Sequence, residues 1–419
     1  MTGLKKTIVY MFIAVHISAK YLFRVPLLKY PLFLKRALIL LLNFRHHKIV
    51  RTAMGLKLDL YLPAYPSPAF FYALDNKLLK PDPAPVSVVF SMTKACPHKC
   101  PHCYQRKDEG KDLDLGKLIR TLLEVRDTGV SLFNIEGGEP FIHFDRLLSM
   151  LKALDNRSEI WVNTIGSFVD REKLEALKEA GLLGLMVSIH SPDAERHNAF
   201  IGDDGAFETA CRTVKWAKEL GLSITINSVL AEDEIRGGGL DRLMRLAKDM
   251  NADYVQLIHP KPSGMWLEKK AEMQKEAGVI KLVENLHLFY NSGAMKDFPA
   301  LASQVFEERK EGLACTSGAV DRFYINATGE VQPCEFLNLS FGNVNEEDFD
   351  IIYKRMRSCF KHPASDWLCC TQAGAIHETI RKYGLTSTPV PWKHAREIVE
   401  SWNRGEKTAF YERLGIYGK

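Results

Sequence analysis

Cys96-Pro97-His98-Lys99-Cys100-Pro101-His102-Cys103-Tyr104 decides how the rest of this 419-residue chain is read. Three cysteines at CxxxCxxC spacing directly follow an apolar run, residues 86–92. Cysteine thiolates are the usual ligands of [4Fe–4S] cubes, so three on one tight loop can hold three of the four irons. No fourth ligand lies nearby, which leaves one iron open to bind another molecule. A structural zinc site would instead close that position, here with His98 or His102. Otherwise both histidines are loop neighbours of the cluster and not ligands.

One strand further on stands Gly137-Gly138-Glu139-Pro140. Two glycines let the backbone approach a ligand closely and adopt φ values that other residues dislike. Taken alone, the tetrapeptide also fits a plain strand-to-helix turn. Together, CxxxCxxC with its trailing Tyr104 and the GGEP turn resemble the radical S-adenosylmethionine (SAM) superfamily. The resemblance implies a [4Fe–4S] cluster on Cys96, Cys100 and Cys103, with SAM chelated to the open iron. It also implies that Gly137, Gly138, Glu139 and Pro140 form the element that hydrogen-bonds the SAM amino group, with Tyr104 beside the cofactor. Asn163 and Ser188, at the ends of later strands, match positions that contact the SAM ribose and carboxylate in the family. Where many members carry Asp at the end of the fourth strand, this chain has His190, which either serves the substrate chemistry or caps the strand. Asn227 on the fifth strand is a similar candidate.

Between these motifs, short β-branched runs alternate with amphipathic helical runs. Strands are expected at 86–92, 131–136, 159–163, 185–190, 223–229 and 254–258, and helices at 115–128, 144–154, 171–180, 206–220 and 239–250. Gly129, Gly181 and Gly221 directly follow three of the helices, a common stop signal. Six βα units imply a parallel sheet with right-handed crossovers. Curved, they make an open partial (βα)6 barrel of the α/β class, the shape that the resemblance also implies. Active sites of such sheets lie at the carboxyl ends of the strands, where the cysteine loop and the GGEP turn both fall.

The nine cysteines are odd in number and clustered, which fits metal ligation in a reducing compartment better than a disulfide framework. Cys211 falls inside a helix and reads as a core residue. The C-terminal group is Cys315, Cys334, Cys359, Cys369 and Cys370. Residues 323–334 read as a β-hairpin turning at Asn326-Ala327-Thr328-Gly329 and ending on Cys334, followed by Gly342-Asn343. This unit resembles the SPASM/twitch auxiliary-cluster domain, although the full series of further spaced cysteines is missing. The resemblance implies one auxiliary [4Fe–4S] cluster, on Cys315, Cys334, Cys359 and Cys370, with Cys369 a bystander. The alternative is a set of buried apolar thiols.

Charge is unevenly distributed. No Asp or Glu precedes Asp59, while that opening stretch holds eleven of the 56 Lys and Arg, leaving 45 against 51 acidic residues downstream. The arm, residues 1–60, is also strongly apolar. Lys20, Arg24, Lys29, Lys35 and Arg36 interrupt every candidate span, and Pro26 and Pro31 break its helices; a bilayer span needs about 20 uninterrupted apolar residues. Apolar, aromatic and basic residues side by side fit a segment lying in a membrane interface. The alternative is helices packed on the body with their lysines in water. No small-x-small cleavage site follows the apolar stretch cleanly, which disfavours a secretory signal. His46-His47 reads as part of a solvated basic face. The expected divisions are the arm, a Pro-rich linker or brace at 61–85, the barrel at 86–260, a helical bridge at 261–312, the auxiliary domain at 313–375 and a helical tail at 376–419.

The resemblance implies an enzyme that reductively cleaves SAM to a 5′-deoxyadenosyl radical, which abstracts hydrogen from the substrate, with electrons from a donor such as flavodoxin or ferredoxin. The basic apolar arm points toward a lipid-like or small-molecule substrate and a cytoplasmic enzyme touching a membrane surface. A peptide or protein maturase is the second reading. A zinc-binding scaffold or nucleic-acid binder is the third, and the acidic body disfavours nucleic acid, which calls for basic patches over the folded domain.

Overall fold

The computed structural model describes residues 1–269, 276–403 and 405–417. Residues 270–275 of the expected bridge, and 404 and 418–419 of the expected tail, lie outside the described residues. The centre is a nine-stranded sheet: β1 Ser87–Ser91, β2 Leu132–Glu136, β3 Glu159–Thr164, β4 Leu182–Ser188, β5 Ser223–Ser228, β6 Tyr254–Leu257, β7 Ala300–Ser303, β8 Arg322–Ile325 and β9 Val331–Gln332. Their spatial order is β9-β8-β1-β2-β3-β4-β5-β6-β7. All neighbours are parallel except the β8–β9 hairpin, in which Tyr324 faces Gln332. This is the α/β barrel architecture expected, with three strands added. β7 carries no β-branched run, only Ala300, Leu301, Ala302 and Ser303. β8 was legible as a hairpin arm, but its parallel pairing with β1, Val88 opposite Phe323, joins segments more than two hundred residues apart. β4 starts at Leu182, three residues earlier than expected, because Gly181 ends the preceding helix and the chain extends at once.

Strands β2, β3 and β4 alternate between two apolar environments along their lower halves, as strands buried on both faces do. Phe133, Ile135, Ile160, Val162, Leu185, Val187, Ile224 and Ile226 point outward into the helical layer. Leu132, Trp161, Leu183, Met186 and Tyr254 point inward and fill the base of the barrel with Leu60. The helices over the outer face are Leu115–Thr128, Phe144–Ala153, Arg171–Glu179, Ala206–Glu219 and Gly239–Asp249. Asp114 and Asp170 cap the first and third, accepting from Lys117 N and Lys173 N.

Residues 61–85 are a buried brace and not a linker. They contain the helix Pro68–Leu78, capped by Ser67, and bury Leu62, Tyr65, Phe70, Phe71 and Leu74. At the barrel base the fully buried Lys57 ammonium pairs with the fully buried Glu159 carboxylate. Trp161 Nε1 (2.9 Å) and Ala64 N (2.6 Å) also donate to Glu159, and Lys57 donates to Leu62 O at 2.8 Å. Each member of the ion pair thus has hydrogen-bond partners besides the other, the condition under which a buried pair is tolerated.

The arm forms two helices, Gly3–Tyr21 and Tyr30–Asn43, and a two-stranded ribbon, Val50–Thr52 with Gly55–Lys57. One face of each helix packs on the body through Ile13, Ile17 and Tyr21, and through Phe33, Ala37 and Leu41. His47 is not part of a solvated basic face. It is nearly buried, 2.9 Å from Asp59 and stacked edge-on against His287 at 5.2 Å, a latch between arm and barrel. Burial alone would raise the Asp59 carboxyl, but the bond and charge of His47, with the Tyr61 N–H, hold it below its ordinary value. Among the described residues, no helix is long and apolar enough to cross a membrane.

Lys57→Met leaves the Glu159 carboxylate charged and unpaired in an apolar site. It is expected to destabilise the fold by about 3–5 kcal/mol, read as a lowered midpoint in urea unfolding.

Candidate active site

The same alternation that fills the base with apolar groups turns polar toward the carboxyl ends. Asn134 and Glu136 on β2, Asn163 on β3, Ser188 on β4, Asn227 on β5 and Gln256 on β6 line one cleft of about 490 Å³. Asn163 and Ser188, both read from sequence, stand on this ring, and Ser188 lies directly opposite Asn227 in the β4–β5 register. The side-chain oxygens of Asn134, Asn163 and Asn227 are buried without a protein partner, so the ring presents open acceptors to whatever fills the cleft.

The cysteine loop closes one side, with Cys96, Cys100, Cys103 and Tyr104 all lining the cleft. It is clasped from below by the GGEP turn: Gly138 N donates to Thr93 O (2.7 Å) and Glu139 N to Ala95 O (2.8 Å). A Cβ on Gly138 would stand 2.2 Å from Ala95 O, and one on Gly137 2.6 Å from Thr93 O. Neither glycine has a positive φ. Close backbone approach, and not unusual φ, is therefore what demands glycine here. Gly137 and Gly138 face the cleft, whereas the Glu139 side chain is buried behind them. Its carboxylate accepts from Thr164 Oγ1 (2.8 and 2.9 Å), Ile165 N (3.0 Å) and Phe141 N (3.2 Å), tying the turn to the end of β3. Burial pushes it up to about 7 despite those donors. Pro140 opens the short helical turn Pro140–His143 beyond it.

Burial and the neighbouring thiols raise Cys100 to about 12, and burial foremost raises Cys96 to about 11. Thiolate ligation here calls for cationic charge in their midst, which cluster irons supply. Among the described residues, the one set of three or more ligating atoms lying all within 4.8 Å of one another is His47, Asp59 and Glu307.

Glu136 was not singled out from sequence, although it is the inward partner, two residues on, of Asn134. Tyr104 donates its hydroxyl to Glu136, Gln105 Nε2 donates at 3.0 Å and Asn163 Nδ2 at 3.0 Å. Burial, reinforced by Glu335 across the cleft, pushes Glu136 up to about 8 against those donors. Tyr104 packs edge-on against Tyr324 (6.0 Å) and Phe336 (5.5 Å), so the cysteine loop leans directly on the C-terminal unit. His190 Nδ1 accepts from Val229 N at 3.2 Å, which places the imidazole proton on Nε2. Its ring meets that of His102 at 4.7 Å, and burial holds it neutral, well below the ordinary imidazole value. His98 Nε2 bonds Ser167 Oγ at 2.8 Å.

In the C-terminal unit, Gly318 N donates to Pro333 O at 2.8 Å and brings the loop after Cys315 against the residue before Cys334. Cys334 is buried, with its thiol 3.1 Å from a Glu335 oxygen. Cys369 is the buried member of its pair and lies within electrostatic reach of Cys334 and Lys261, whereas Cys370 is half-buried. Cys359 ends the helix Phe349–Cys359, its thiol 3.8 Å from Ser358 Oγ and near the Arg355 guanidinium. Cys211 is half-buried on its helix. It is thus not the core residue expected, and which of two adjacent cysteines turns inward is likewise not readable from sequence.

The radical SAM superfamily model matches residues 90–237, and the SPASM iron–sulfur cluster-binding domain model matches residues 315–372. The PqqA peptide cyclase of Granulibacter bethesdensis is 23% identical over 296 residues, covering 68% of this chain and 78% of that one. The AdoMet-dependent heme synthase of Oleidesulfovibrio alaskensis is 24% identical over 299 residues, covering 65% and 75%. Among solved structures, Streptococcus suis SuiB bound to precursor peptide SuiA superimposes with a TM-score of 0.51 at 18% identity, over 64% of this chain and 65% of SuiB. That last likeness speaks to the fold. The two domains carry a [4Fe–4S] cluster with SAM and an auxiliary iron–sulfur cluster.

Asp108, on the cleft wall beyond the cysteine loop, is raised by burial from 3.8 to about 7, although Asn326 Nδ2 donates to it at 3.0 Å. A carboxyl raised by folding binds its proton more tightly in the native state, so its contribution to stability is present at low pH and is lost as pH rises through about 7. Asp108→Asn is expected to flatten the fall in thermal midpoint between pH 5 and about 8. An unchanged pH slope would contradict this account.

Proposed function

We propose that this chain, a radical SAM enzyme with a C-terminal SPASM domain, modifies a peptide bound between its two cluster sites. The observation that carries the reading is the shared cleft: Glu335 and Phe336, next to Cys334, line the same cavity as Cys96, Cys100 and Cys103. A substrate entering it stands within reach of both sites. The similarity to a PqqA peptide cyclase, and to the fold of SuiB with its precursor peptide, favours a peptide over the lipid-like substrate expected from the arm. The arm is two helices and a ribbon, unlike a winged-helix peptide-binding module, so peptide capture falls to the cleft itself.

When bound, the cluster and SAM supply a one-electron cleavage that yields methionine and a hydrogen-abstracting 5′-deoxyadenosyl radical. The chain's task is orientation and exclusion of water. In this reading the Gly137-Gly138 backbone, Asn163 and Ser188 would hold SAM, while Tyr104 and Gln105 fix the Glu136 carboxylate on the same cleft. Cys315, Cys334 and Cys369 are the auxiliary ligands that the burial pattern supports, with Cys359 or Cys370 as the fourth candidate. Flavodoxin or ferredoxin is the proposed electron donor.

The test is 5′-deoxyadenosine formation by anaerobically reconstituted enzyme, with dithionite and SAM, in the presence of a low-molecular-weight extract. Stimulation above the substrate-free rate that is abolished by protease treatment of the extract is the expected outcome. Protease-resistant stimulation by a lipid or tetrapyrrole fraction would overturn the peptide reading.

A further inference from the structure

The arm buries one face of each helix, yet it leaves a second apolar face bare. Among the described residues, eighteen large apolar side chains are exposed, and twelve of them lie between Leu4 and Leu42. Leu4, Ile8, Met11, Phe12 and Val15 recur at helical spacing on the side of Gly3–Tyr21 opposite Ile13, Ile17 and Tyr21. The connector to the second helix is barer still: Phe23 is 94%, Leu27 79% and Leu28 97% exposed. Single exposed leucines are ordinary, whereas a continuous stripe with a protruding apolar tip marks a docking surface.

Charge identifies the occupant. Lys5 on the first helix, Lys29 on the connector and Lys35 on the second helix are exposed beside this face, while Lys20 sits over the Phe71 ring and Arg24 pairs with Asp75 at 3.1 Å; no acidic residue precedes Asp59. An isologous dimer through this face would set like charges against like, since each copy offers the same patch to the other. A surface that takes both apolar side chains and a ring of cations is an anionic lipid headgroup layer. The helices are too short of uninterrupted apolar length to span a bilayer, which fits a segment lying in its plane.

We propose that residues 4–42 dock the enzyme on an anionic membrane surface, with Phe23, Leu27 and Leu28 inserted below the headgroups and the flanking Lys5, Lys29 and Lys35 on the phosphates. The proposal is independent of the substrate, because the arm does not line the catalytic cleft.

Flotation of the full-length holoenzyme with vesicles of phosphatidylglycerol, or of phosphatidylcholine alone, tests it. Binding to the anionic vesicles is expected to exceed binding to the zwitterionic ones by about tenfold or more and to weaken with salt. The triple variant Phe23→Glu/Leu27→Glu/Leu28→Glu changes only exposed side chains. It is expected to keep its iron content and substrate-free 5′-deoxyadenosine formation while losing flotation. Wild-type protein that stays with neither vesicle, or a triple variant that floats as well as the parent, overturns the proposal. So does a parent that sediments as a dimer, fails to float and becomes monomeric in the triple variant, which would assign the face to a second copy.

Discussion

The site depends on one contact, the clasp of the Gly137-Gly138 turn against the backbone beneath the cysteine loop. Two hydrogen bonds, to Thr93 O and Ala95 O, hold the loop at a separation that admits no Cβ on either glycine. Glu139 fixes the other side of the turn by spending its whole carboxylate on Thr164, Ile165 N and Phe141 N. The ends of β1, β2 and β3 are thereby locked together where the three thiols must converge. Preorganisation of this kind keeps a bound cofactor from drifting relative to the substrate cleft.

From that clasp the rest follows by strand alternation. The inward positions are apolar at the base, then amide and carboxylate toward the top, so one period-two pattern both closes the barrel floor and builds a polar ring above it. The floor needs its own support, because residues 57–65 enter the barrel from below with a charged lysine. The Lys57–Glu159 pair, with Trp161 and Ala64 donating to the same carboxylate, resolves that conflict. Tyr104 then couples the polar ring, the cysteine loop and the C-terminal unit by touching Glu136, Tyr324 and Phe336 at once.

Much of this was legible in the chain. The cysteine spacing, the GGEP turn and the alternating strands put the loop and the turn at the carboxyl ends of β1 and β2, where the structure has them, because each depends on local periodicity or a short motif. Glu136 could have been read from its place two residues after Asn134. What escaped depends on distant pairing. β8 pairs with β1 although more than two hundred residues separate them in the chain, and His47 finds Asp59 and His287; of the two readings of the Pro-rich stretch 61–85, local pattern could not choose the brace over the linker. The choice between Cys369 and Cys370 turns on the rotation of a four-residue helix, Leu368–Thr371, which no periodicity resolves.

The central claim is that two separate cysteine sets serve one cleft. Anaerobic reconstitution of the parent and of a Cys96/Cys100/Cys103→Ala variant, with iron and sulfide counted and 5′-deoxyadenosine measured after dithionite and SAM, tests it directly. The account predicts about eight irons in the parent and about four in the variant, since each cube holds four, with 5′-deoxyadenosine from the parent alone. Zinc in place of iron, or 5′-deoxyadenosine from the variant, would contradict it.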